Sequence, residues 1–316
     1  NGQPVAPLML FVNRDLSGPT ADAAIRDQVA LASKAGVHLY SFPARVIHPV
    51  GASVPDYSAI EAAMELIVDI DPLATFMLRV YPSPEPHWPA WQDIPETEVA
   101  RFADGHTGKR LSFASPYMLN LSCRELERLV RHFEASSWGS RILLYHPGGP
   151  EHEMFMDRYR EAGPDLSPAN AEGFRRWLRK TYGSDDALRA AWGRGNVSLD
   201  TAPVPSPMPP DRFPIHTVRP GKTERVFYDL PVERDWVDYS RYCSDLAADC
   251  IGEWARVIKQ ESGRRKLVGI FYGYVLEVCG SMAGHYATDR VLACLDVDLL
   301  AAPFSYFDRL GGGAGS

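Results

Sequence analysis

Hydrophobic residues along this chain fall into short runs, each followed by a longer stretch with helical spacing. Leu8–Val12 is a β-rich apolar run that ends in Asn13, Arg14 and Asp15. Thr20 or Asp22 can cap the next stretch, Ala23–Ala35, whose apolar residues recur with helical period and which stops at Gly36. Val37–Phe42 predicts a second strand, Asp56–Asp69 a second helix, and Ala74–Tyr81 a third strand ended by Pro82 and Pro84. Residues 83–117 interrupt the alternation. Within them Glu96–Ser115 reads as a β-hairpin with Asp104-Gly105 as its turn. The alternation then resumes with a helix over Asn120–Ser136 and a fourth strand over Arg141–Tyr145.

Beyond the fourth strand, Ser167-Pro168 is a helix start, and the stretch to Trp192 gives two short helices broken at Gly183. Residues 195–233 are Pro-rich and irregular, an excursion of the kind that overhangs a site. A long helix over Asp235–Glu261, a strand over Lys266–Tyr272, a helix over Tyr286–Leu295 and a strand over Val297–Pro303 complete the pattern.

Strands alternating with helices imply a parallel sheet with right-handed crossovers. A doubly wound sheet would carry a glycine-rich phosphate turn after an early strand. The first strand instead runs into NRDLSGPT, which lacks that spacing. A (β/α)8 TIM barrel fits better, because polar and aromatic insertions follow the carboxyl ends of strands three, four and five. Only six strands can be counted, whereas such a barrel closes with eight. The expectation is therefore one barrel domain over residues 1–316, incomplete, with its last two βα units beyond the glycine-rich end GGGAGS. The chain starts at Asn1 rather than Met and shows no signal peptide, so it reads as a processed or excerpted sequence.

Composition narrows the function classes. The apolar fraction of 45% supports a sizeable core, and a net charge of −7 without a basic stripe argues against nucleic-acid or membrane partners. Apolar stretches such as Val268–Val278 are too short to span a bilayer. Cys123, Cys243, Cys250, Cys279 and Cys294 are scattered, without CxxC pairs, and read as reduced, mostly buried thiols. Among the aromatics, Trp88 and Trp91 lie in a Pro-rich loop, where they are placed to stack on a sugar ring.

The most informative stretch is Arg141–Phe155, RILLYHPGGPEHEMF. A buried strand ends at His146 and is followed directly by Glu151, His152 and Glu153, so polar groups arrive where barrel enzymes keep their sites. A carboxylic acid held there can protonate a leaving group, the first requirement of a glycoside hydrolase. Glu153, backed by apolar Met154 and Phe155, is the candidate acid; Glu151 is the alternative, separated from it only by register. His152-Glu153 begins like a zinc-binding HExxH, but position 156 is Met, so a metal-dependent hydrolase would need distant ligands, and no metal or cofactor is expected. Asn13, Arg14, Arg79, Tyr81, Tyr272, Tyr274, Glu277, Ser305 and Tyr306 lie at strand ends, where they can face a ligand or brace the rim; His285 and Asp308 are weaker candidates. Tyr272 and Tyr274 share one face, either the barrel interior or the helix layer.

The phrase FRRWLRKTYGSDDALRAAWG (Phe174–Gly193) resembles glycoside hydrolase family 42, the β-galactosidase-like barrels. Phe174, Trp177, Leu178, Tyr182, Gly183, Leu188, Ala191, Trp192 and Gly193 carry the match, and the segments after residue 268 are similar more weakly. The resemblance implies a retaining O-glycosyl hydrolase with a β-glycoside as partner, no cofactor, and frequent homo-oligomers. It implies Glu153 as acid/base after strand four and a nucleophilic Glu at the end of strand seven, expected beyond Ser316, so that this chain alone would be inactive. His152 stands where the family has an asparagine that holds the substrate 2-hydroxyl. The expected sugar contacts are Asn13, Arg14, Trp88, His146, His152, Tyr272, Glu277 and Tyr306. The alternative from another class is a carbohydrate-binding barrel that does not hydrolyse.

Overall fold

A computed structural model describes residues 8–12, 19–44, 46–49, 54–82, 91–103, 105, 107–148, 163–206, 228–273 and 284–302. The expected alternation is present. In chain order the elements are β1 (Met9–Phe11), α1 (Pro19–Lys34), β2 (Leu39–Ala44), α2 (Ser58–Ile70), β3 (Thr75–Val80), β4 (Val99–Arg101), β5 (Thr107–Leu111), α3 (Pro116–Ala135), β6 (Ile142–Pro147), α4 (Pro168–Tyr182), α5 (Asp185–Trp192), α6 (Leu230–Glu261), β7 (Leu267–Phe271), α7 (Thr288–Leu292) and β8 (Leu299–Ala301).

Local chemistry sets the boundaries. Ser115 accepts from the backbone N–H of Tyr117 and Pro116 occupies the first turn, so α3 begins earlier than its apolar period alone predicts. Gly183 (φ 72°) and Gly193 (φ 62°) end α4 and α5 in the left-handed conformation, which is why the break falls at Gly183.

Among the described residues, six strands form one parallel sheet in the order β1-β2-β3-β6-β7-β8. The order never reverses. A doubly wound sheet must reverse, whereas a barrel adds each strand beside the last. The antiparallel pair β4–β5 is the expected hairpin, inserted between β3 and α3 and anchored where Leu166 N–H donates to Arg101 O.

The sheet curls. Phe11 on β1 and Phe271 on β7 have ring centroids 6.4 Å apart, although three strands separate their own. In a flat sheet that separation would be roughly 19 Å. A parallel sheet of six strands wrapped this tightly, with its helices outside, is a partial TIM barrel.

The two faces differ. On the convex face, Tyr40, Phe42, Phe76, Leu78, Val80, Ile142, Tyr145, Val268 and Ile270 join α1, α2, α3 and α6 in one large core. On the concave face, Leu39, Met77 and Leu144 form a smaller cluster with Met9, Leu143 and Leu299. The cluster closes over Gly269, where a Cβ would sit 3.3 Å from both Leu144 Cδ1 and Leu299 Cδ2.

A second core carries the family-like phrase. Phe174 stacks near Trp177 and Trp192 and meets Tyr239 and Tyr242 of α6. The fully buried Asp238 accepts from the Trp192 indole and the Tyr182 hydroxyl and pairs with Arg234. Val197, Ala202 and Val204 pack into the same core, so the first part of the Pro-rich excursion is a packed segment rather than an overhang. Cys123, Cys243, Cys250 and Cys294 are free thiols, the middle two buried and the outer two half-buried, and Cys279 lies outside the described residues. Among the described residues no helix is long and apolar enough to cross a membrane.

Candidate functional site at the carboxyl end of the half-barrel

In a strand, alternate residues share a face. With Phe76, Leu78 and Val80 in the convex core, Arg79 of β3 turns to the concave side. With Tyr145 in that core, His146 of β6 does the same. The two are direct neighbours in the ladder.

Arg79 is 2% exposed. Its guanidinium lies 3.8 Å above the Phe11 ring and donates to the carbonyl of Val12, so it reaches from β3 across β2 to the end of β1. A cation is thereby fixed at the carboxyl end of the strands, above the apolar cluster.

His146 is 3% exposed. Its Nε2 accepts from the backbone N–H of Phe271, 2.9 Å away, and its ring lies 6.1 Å from the Phe271 ring. Burial, aided by the Arg79 guanidinium, lowers its pKa to about 3. His146 is therefore a neutral imidazole at any ordinary pH. Its Nδ1 is buried and has no hydrogen-bond partner among the described residues.

Ser41 of β2 is fully buried on the same face, beside Met77 in the ladder, and its Oγ also lacks a partner among the described residues. Sequence reasoning missed Ser41, Phe11 and Phe271 as parts of this layer. The available signal for Ser41 was a lone hydroxyl within the apolar strand LYSFPA.

Tyr272 belongs to the other side. It packs with the convex core, its hydroxyl donates to Gly284 O at 2.8 Å and accepts from Ala287 N at 3.0 Å. The alternation left open in the sequence resolves toward the helix layer, and the expected sugar contact gives way to a staple that holds the return into α7. His285 joins that staple: its Nδ1 accepts from Gly273 N at 3.2 Å, and its ring lies 4.8 Å from Tyr272. Trp91 is half-buried and packs against the main core with the rest of its ring surface still accessible.

Of the other expected site residues, Asn13, Arg14, Trp88, Glu151, His152, Glu153, Tyr274, Glu277, Ser305, Tyr306 and Asp308 lie outside the described residues. No group of three or more His, Cys, Asp or Glu side chains suited to a metal ion occurs among the described residues.

The layer has clear chemical capacities. Arg79 supplies fixed positive charge, His146 a neutral ring, and Phe11 and Phe271 an apolar floor. Nothing in it can exchange a proton near neutral pH, so proton transfer at this mouth has to come from elsewhere.

No protein-family model and no curated protein matches the sequence. Solved structures do. A β-galactosidase from the Antarctic haloarchaeon Halorubrum lacusprofundi superposes with a TM-score of 0.63 at 17% identity, over 94% of this chain and 40% of its own. The β-amylase catalytic domain of Paenibacillus polymyxa gives 0.65 at 14% identity, over 92% and 74%. A catalytic mutant of a family 42 (GH42) β-galactosidase from G. stearothermophilus gives 0.57 at 15% identity, over 85% and 36%. The chain thus spans about 40% of the length of the β-galactosidases it matches. At these identities the likeness establishes the fold: a partial TIM barrel of the kind that glycoside hydrolases use.

Proposed function

We propose that this chain is part of a retaining β-glycoside hydrolase, β-galactosidase-like, with Glu153 as its general acid/base. The observation that carries the reading is the polar layer of Arg79 and His146 at the carboxyl ends of β3 and β6, because Glu151, His152 and Glu153 follow β6 directly. Glu153 protonates the glycosidic oxygen and later activates water, and a second carboxylate roughly 5–5.5 Å away attacks the anomeric carbon. That second carboxylate is not assigned to a residue of this chain. Asn13, Arg14, His152, Trp88, Glu277 and Tyr306 are the proposed contacts to the sugar. The glycosidase folds of the solved structures support the substrate class. No step requires a cofactor.

His152, in the place of the family's asparagine, favours one other reading, a barrel that binds a β-glycoside without cleaving it. Aryl β-galactosides and β-glucosides assayed with the whole protein separate the two. Under the hydrolase reading, Glu153→Gln lowers turnover by about 10²–10⁴-fold. Undiminished turnover in that variant removes Glu153 from the mechanism, and a loss confined to Glu151→Gln moves the role there. Binding of the glycosides without hydrolysis establishes the binder.

A further inference from the structure

We propose that His146 determines sugar specificity as a donor locked in one tautomer, its Nδ1–H donating to an oxygen of the sugar bound in the innermost subsite. The proposal rests on the glycosidase reading and adds to it a residue and a hydrogen bond.

The tautomer follows from geometry. The backbone N–H of Phe271 points at Nε2 from 2.9 Å and has one proton to give. Nε2 must therefore present its lone pair, and a neutral imidazole then carries its proton on Nδ1. Protonating Nε2 as well would set two N–H groups against each other, in a buried site beside the Arg79 guanidinium. The ring can donate through Nδ1 but does not serve as an acid.

The donor is also unspent. Nδ1 is buried without a partner among the described residues. A buried donor left unsatisfied is destabilising. A bracing role for His146 uses Nε2 alone and is served as well by any acceptor. Keeping a second polar atom buried on the concave face makes sense where a ligand completes it. A neutral donor of fixed direction suits a hydroxyl or ring oxygen. A site built to hydrogen-bond a hydroxyl rejects the analogue that lacks it far better than an apolar pocket does.

The test uses the whole protein with 15N-labelled histidine and two probes, methyl β-D-galactopyranoside and methyl β-D-glucopyranoside. Saturation with the preferred sugar is expected to move the His146 Nδ1–H resonance, with Nε2 unprotonated throughout. His146→Gln, which can accept from Phe271 and still donate, is expected to bind that sugar within about threefold of wild type. His146→Leu, checked for folding by circular dichroism, is expected to bind about tenfold more weakly, a single hydrogen bond's worth. A sugar that binds while the His146 resonances stay fixed overturns the inference and leaves the glycosidase reading intact; so does unchanged affinity in a folded His146→Leu. Failure of both sugars to bind or be hydrolysed overturns the glycosidase reading, and this inference with it.

Discussion

On the convex face of the sheet, Trp254 is fully buried and still finds Ser122 Oγ for its indole N–H at 2.8 Å. On the concave face, His146 is almost as buried, yet one of its two ring nitrogens has no partner among the described residues. The same contrast holds lower down. Asp71, at the amino end of β3, is buried at a cost to its charge, but the Tyr40 hydroxyl, His38 and the Leu73 N–H more than offset that and hold its carboxyl below the usual range. Ser41, on the concave side, is equally buried and its hydroxyl is unanswered among the described residues. These two pairs differ in whether the fold answers a buried polar group, but face alone does not decide it: the Tyr57 hydroxyl of the convex core and one Glu125 oxygen on α3 also lack a partner among the described residues.

Trp254→Ala empties the largest fully buried side chain of the convex core and is expected to cost about 3–5 kcal/mol of stability in urea unfolding. A loss under 1 kcal/mol would mean that this core is not the main support of the sheet.

Acid should act on the other face about as strongly. His146 has a folded pKa near 3 against an ordinary 6.5, so the unfolded chain binds more protons between those values. Its contribution is complete above pH 6.5 and is lost as pH falls toward 3, on the order of 5 kcal/mol in all. Thermal melts of wild type and His146→Gln across pH 3–8 check this; parallel curves refute it.

Leu144→Ala, in the smaller concave cluster, is expected to cost about 2–3 kcal/mol, less than Trp254→Ala because fewer apolar neighbours surround it. An equal or larger loss reverses the ranking of the two faces.

Glu125 offers the smallest effect, with the opposite sign. This α3 carboxyl is 3% exposed, 3.1 Å from His48, and burial pushes its pKa up to about 7 although Arg128 pulls the other way. Here the folded chain holds the extra proton, so stability falls as pH rises from about 4.5 through 7. Glu125→Gln should remove that slope and gain about 1–3 kcal/mol at pH 8. An unchanged slope would place the titration in another group.

Much of the framework was legible in the sequence because it depends on local rules. The hairpin followed from Asp104-Gly105, the helix break from Gly183, and the barrel order from strand–helix alternation without a phosphate turn. The beginnings of α3 and α6 were less legible, because Ser115-Pro116 and Pro231 extend those helices past the start of their apolar period. Which face each strand residue occupies was harder still. Tyr272 reads equally well on either side of a strand, and only packing against the helices assigns it. His146 was a candidate from its place at a strand end. Its tautomer was not legible, because the donor that fixes it sits on β7, 125 residues along the chain.

Gly269 gives the concavity a last consequence. Its absent side chain leaves room for Leu144 and Leu299 to meet over β7, since a methyl group there would have to push them aside by a few tenths of an ångström. Phe271, whose backbone N–H donates to the His146 ring, lies two positions further along the same strand. The packing of the floor and the hydrogen bond at the mouth are thus carried by one short strand.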